Sequence, residues 1–154
     1  MKREKVYYKC VREYKGELVS FCLGRTSHRI NPELDKNFLL RYSQTKYTIP
    51  KYGVVFVFNS LKNAREFFSV EEDGAVNPQI WKVVGEKSKI EPTITNIAGL
   101  GGPQNSGWNS RLKRLIDFWV LSPEDFLAKY GKVRFDVPEG TVGLKKCILL
   151  KRIK

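Results

Sequence analysis

The chain has 154 residues, 42% hydrophobic and 29% charged, enough for one domain that buries about 70% of the surface its unfolded form exposes. No apolar run approaches the roughly 20 residues of a membrane helix. The opening MKREKVYYKC has no apolar segment of the secretory kind, so an intracellular, cytoplasmic protein is the expectation. Lysine and arginine number 28 against 16 acids, a formal net charge of +12. That excess favours phosphate backbones, acidic proteins or anionic surfaces; nucleic acid or an acidic protein is the expected partner, and with no apolar run of spanning length no membrane is expected.

Val6–Arg12 and Leu18–Leu23 are strand-like runs on either side of Gly16, which can take the positive φ of a tight turn, so the chain opens with an antiparallel hairpin. Lys5, Lys9 and Arg12 stand among apolar residues, as on a strand with one solvated face. The stretch from Gly24 to Asn37 is polar, with Asn31-Pro32 starting a short helical turn. Phe38–Tyr42 reads as a further strand. Val54–Phe58 is a run of β-branched and aromatic residues too short for a helix, which makes it a strand buried on both faces near the centre of the sheet. Asn59 and Ser60 can cap the helix that follows, Leu61–Phe68, whose apolar positions Leu61, Ala64, Phe67 and Phe68 recur every three or four residues.

Ile80–Val84 is another strand. Residues 85–109, which include the glycine-rich stretch Gly99–Gly107, read as a flexible loop or an insertion. Ser110–Leu121 has one apolar face and is expected to be helical. Ser122-Pro123-Glu124-Asp125 starts a second helix that Gly131 ends. Lys132–Asp136 and Val142–Ile153 are closing strands joined through Pro138-Glu139-Gly140-Thr141. The fold class is therefore α+β: a curved, mostly antiparallel sheet of about six or seven strands with about three helices packed on it, in a single domain spanning residues 1–154.

Three cysteines, Cys10, Cys22 and Cys147, have neither metal-ligand spacing nor an even count, and act as small apolar residues. In a hairpin, Cys10 and Cys22 could be cross-strand neighbours. No metal site and no cofactor are expected. His28, the one histidine, sits between Arg25 and Arg29. This cluster could bind phosphate, with His28 as acid or base, or it could be a solvated basic loop. Arg111 and Lys113 follow the glycine stretch and could face an anion, although the stretch matches no phosphate-loop pattern. At the two ends of the chain, Lys9, Arg12 and Tyr14 interleave cations with rings, and Lys145, Lys146, Lys151 and Arg152 recur in the last strand. If the ends lie side by side they form one positive, tyrosine-bearing stripe suited to single-stranded nucleic acid. The alternative reading makes the tyrosines core residues and the lysines guards of an edge strand.

Tyr7-Tyr8-Lys9-Cys10-Val11-Arg12, the run Pro50–Phe58, Ser60-Leu61, Ile80-Trp81-Lys82 and Pro138–Thr141 together resemble a set of small uncharacterised phage, viral and bacterial proteins. That resemblance covers about half the chain and implies no activity. More distantly the layout resembles the ADP-ribosyltransferase fold, in which a strand end leads into a short helix and a late strand carries Pro-x-Gly-Thr. The catalytic glutamate of that family falls near Arg134 here, and Asn59-Ser60 does not supply its serine-threonine-serine motif. The resemblance thus implies a fold and a binding cleft more than a transferase.

The sequence favours a small basic, non-enzymatic nucleic-acid-binding protein, with the resemblance above implying a phage or viral kind. The alternatives are an ADP-ribosyltransferase-like or other phosphate-handling enzyme using Arg25, His28 and Glu139, and a binder of an acidic protein partner.

Overall fold

Period-two alternation carries the N-terminal residues into a long strand, β1 (Val6–Tyr14), which turns back into β2 (Glu17–Ser20). The computed structural model describes residues 5–20, 40–71, 77–89, 117, 119–130 and 140–154. The turn is two residues long, Lys15 at φ 50° and Gly16 at φ 81°. Two successive left-handed residues make the turn whose twist matches its flanking strands, and Gly16 adopts that backbone without steric penalty.

The remaining strands are β3 (Arg41–Tyr42), β4 (Val55–Phe58), β5 (Gln79–Lys87) and β6 (Thr141–Arg152), with helices α1 (Leu61–Glu71) and α2 (Pro123–Tyr130). They form one six-stranded sheet in the order β3-β2-β1-β4-β6-β5, and β1 also pairs with β5. Every pairing is antiparallel. The extra pairing closes β1, β4, β6 and β5 into a barrel-like circuit. Tyr8 is opposite Phe58 of β4 and Lys82 of β5; those residues lie opposite Thr141 and Lys151 of β6. The two routes therefore meet β6 far apart, the stagger that lets a sheet curl closed.

Alternate residues fill the interior: Tyr7 and Val11 of β1, Val55 and Val57 of β4, Trp81 and Val83 of β5, and Leu144, Cys147 and Leu149 of β6, with Tyr42. A second cluster lies outside the barrel wall under α1, where Cys10, Phe58 and Ile80 meet Ala64 and Phe68. Phe67 tilts against Phe58 at 5.3 Å between ring centroids. Ser60 caps α1 by accepting the Asn63 N–H at 3.2 Å, and Ser122 caps α2 by accepting the Asp125 N–H at 3.2 Å. Trp119 donates its indole N–H to the Val54 carbonyl at 3.0 Å, and its own carbonyl accepts the Tyr52 N–H at 2.9 Å.

The α+β class and the strand-dominated antiparallel sheet agree with the sequence reading. Three points are corrected. Among the described residues there are two helices rather than about three; Asp117, Trp119 and Val120 are helical and are what is described of the expected helix over Ser110–Leu121. The two ends of the chain are not neighbours in the sheet either, because β5 lies between β1 and β6 on one side and β4 on the other. Strand β5 continues through Gly85 to Lys87, residues first assigned to a connection. The remainder of 85–109 beyond Lys89, the glycine stretch included, and Lys132–Asp136 lie outside the described residues.

Gly85 is opposite Cys147, where a Cβ would come within 2.0 Å of the Lys146 carbonyl oxygen. That oxygen is backbone and belongs to a strand bonded on both sides, so it cannot swing away. Gly85→Ala should destabilise the fold by about 1–3 kcal/mol, read as a lower urea midpoint with an unchanged slope.

Candidate nucleic-acid interface

Strand β6 is twelve residues long and bulges twice where it pairs with β5. Val83 and Lys82 face Leu149 and Lys151, leaving Leu150 as the extra residue; Glu86 and Lys87 face Lys146 and Leu144, leaving Lys145. A bulge bends the strand and re-aims side chains. Both extra residues are exposed, Leu150 at 46%. Between them the outward row of β6 carries Lys146 and Ile148, both half-buried, and beyond them Lys151, which is exposed.

Lys82 and Lys151 are directly opposite one another, a like-charge pair that opposes sheet formation unless an anion screens it. Glu86 is the acid that the register sets beside this row: it faces Lys146 and lies 3.5 Å from the Lys145 ammonium. Both partners of that ion pair are about half exposed, so water screens it heavily.

The other flank comes from the chain between β3 and β4. Thr48 and Cys147 exchange both backbone hydrogen bonds, at 2.8 and 3.1 Å, and Leu149 donates to the Ser43 carbonyl at 2.9 Å. Thr48 and Cys147 are buried, so their sequence neighbours project outward. Tyr47 is 43% exposed and Ile49 66%. The Lys146 ammonium lies 4.5 Å from the Tyr47 ring centroid, and Lys51 lies 5.6 Å from that of Tyr52, both cation–π contacts. Lys46 and Lys51 are exposed. A ring, two aliphatic side chains and several ammonium groups thus share one surface built on β6.

Of the residues singled out in the sequence, Lys145 and Lys146 lie on this surface. Lys9 and Arg12 do not. Lys9 is 6% exposed and points into the barrel, where its ammonium donates to the Phe56 carbonyl at 2.7 Å and lies 5.1 Å from the Tyr42 ring centroid. Arg12 is fully buried. Neither can reach a polymer outside. Tyr14 ends β1 opposite Glu17, and its side chain lies outside the described part. Arg25, His28, Arg29, Arg111, Lys113, Arg134, Glu139 and Cys22 lie outside the described residues. Tyr47, Ile49, Lys82 and Leu150 were missed. The signal for Lys82 was its place between Trp81 and Val83; for Tyr47 it was the basic run Lys46–Lys51.

Cys10 and Cys147 are free and buried. Burial pushes the Cys10 thiol up to about 12 and the Cys147 thiol up to about 11, with the Lys9 charge pulling the other way in each case. Such thiols are inert in the native protein. Among the described residues, no group of three or more His, Cys, Asp or Glu side chains could hold a metal ion, and no helix is long and apolar enough to cross a membrane. No family model, no curated protein and no solved structure matches the chain.

Two outcomes are expected. Lys9→Ala should lower stability by about 2–4 kcal/mol, through lost packing and a lost charge-assisted bond, yet leave any affinity of the outer surface for a polyanion unchanged. Urea unfolding and a binding titration read the two effects separately. The thiols should make stability fall as pH rises from about 9 towards 11, because they ionise in the unfolded chain before they do in the native one. Each contributes up to about 1.4 kcal/mol per pH unit. The double variant Cys10→Ala/Cys147→Ala should therefore show a shallower decline in unfolding free energy over that window.

Proposed function

We propose that this protein is a small basic module that binds nucleic acid through the outer surface of β5 and β6. The observation that carries the reading is the lysine row of that surface. Lys82 faces Lys151 across the two strands, Lys145 is thrown outward by a bulge, and Lys146 stands next to it opposite Glu86. Like charges facing one another, as Lys82 and Lys151 do, are unfavourable for the free sheet, and ammonium groups gathered on one surface are favourable for a phosphate backbone, which exchanges its condensed counterions for them. The chain's net charge of +12 adds a long-range attraction that speeds encounter. In this reading Lys9 and Arg12 are structural, and the interface runs along one late strand rather than across both ends of the chain.

The test is a pair of binding titrations over a salt series with wild-type protein and the Lys145→Ala/Lys146→Ala variant. Each lost phosphate contact should reduce the slope of log affinity against log salt by about 0.7–0.9, so the double variant should bind more weakly with a slope lower by about 1–2. Its unfolding midpoint should be nearly unchanged, because Lys145 is exposed and its ion pair is screened. Equal affinity and slope for both proteins would remove β6 from the interface. Binding to an acidic peptide in preference to nucleic acid would transfer the surface to a protein partner.

A further inference from the structure

The lysine row explains attraction to phosphate but not the apolar groups set among the lysines. Tyr47, Ile49 and Leu150 are three of the large hydrophobic side chains that stay exposed among the described residues, at 43%, 66% and 46%. All three belong to the seam where β6 meets the segment before β4. The backbone bonds of Thr48 to Cys147 fix Tyr47 and Ile49 against β6, and the Gln44 side-chain amide holds the Leu150 carbonyl at 3.3 Å. The bulge that expels Leu150 is a feature of the strand itself. Exposed apolar side chains gathered in one place among polar ones mark sites of interaction.

Resting on the reading above, we infer that the ligand of this surface is a single-stranded nucleic acid, with an unpaired base stacked on the Tyr47 ring and flanking bases against Ile49 and Leu150. A duplex keeps its base faces stacked on one another and offers only phosphates, sugars and groove edges to a protein. Phosphate contacts require no ring. A single strand has free π-faces as well as phosphates, and aromatic platforms beside cations match both. Lys146 stands 4.5 Å from the Tyr47 ring centroid, so one ammonium can face a phosphate while its neighbouring ring meets the attached base. The interaction tolerates any base, and the surface should show little sequence preference.

The experiment measures fluorescence anisotropy of a labelled single-stranded oligonucleotide and of its duplex, with the full chain, Tyr47→Ala and Tyr47→Phe, beside a basic control protein of similar charge. Wild type should prefer the single strand. Tyr47→Ala should lose about tenfold in single-strand affinity with its salt slope unchanged and its duplex affinity unaltered, while Tyr47→Phe should retain wild-type binding. Tyr47 is exposed, so all three proteins should melt together. A duplex preference, or a Tyr47→Ala variant that binds single strands as wild type does, overturns the inference and leaves the lysine-row reading standing. Affinity no better than the control for either form overturns both.

Discussion

Strand β1 takes β5 along one edge and β4, then β2, along the other: Tyr8 faces both Phe58 and Lys82, and Val11 faces both Ser20 and Gln79. A strand paired on both edges has no free row of amides, and its side chains must go either inward to the barrel or outward to the wall. Here the inward face is packed by valine, tryptophan and tyrosine, and the outward face around Cys10 is roofed by α1. Val6 is exposed at the start of β1 and Tyr8 and Glu13 are half-buried, whereas Tyr7 and Lys9 through Arg12 are buried. Closure of the barrel, the position of α1 and the fate of every polar residue on β1 follow from this double pairing.

That constraint decides what could be read from the residues alone. Val54–Phe58 was legible because a short apolar run bounded by Gly53 and Asn59 has only one sensible placement. The two capped helices were legible because Ser60 and Ser122 satisfy amides that any helix start leaves open. Lys9 was misplaced because charge was given more weight than period. It alternates with Tyr7 and Val11, both of which face the barrel, so it had to share their side. Arg12 alternates with Tyr8 and Cys10, on the outer side that α1 roofs at Cys10, and its burial there has no signature in the local pattern of β1.

The candidate surface was legible only in part. Lys145 and Lys146 declared themselves as charge, and they do reach the outside. Their companions depend on register: Lys82 meets Lys151 only because Leu150 has been pushed out of the ladder, and Tyr47 reaches Lys146 only because Thr48 bonds to Cys147. Bulge positions and non-local bridges have no signature in composition or periodicity. The sequence therefore located one strand of the surface and the structure supplied what lies beside it.

The stagger of the circuit has a consequence for how the molecule is made. Strand β6 is bonded to β4 through its first residues and to β5 through nearly all of its length, and the segment at Thr48 also leans on it. Its partners precede it by some 60 to 100 residues of chain, so the pairings of β6 are long-range, a topology associated with slow folding. During synthesis β4 and β5 emerge with their β6-facing edges open, and β4, whose four residues are all buried in the finished protein, is exposed until Thr141–Arg152 has been added. The growing chain passes through an interval in which an aggregation-prone valine-phenylalanine strand awaits its last partner. The basic residues that precede Thr141 already outnumber the acids in that interval, keeping unfinished chains apart by mutual repulsion.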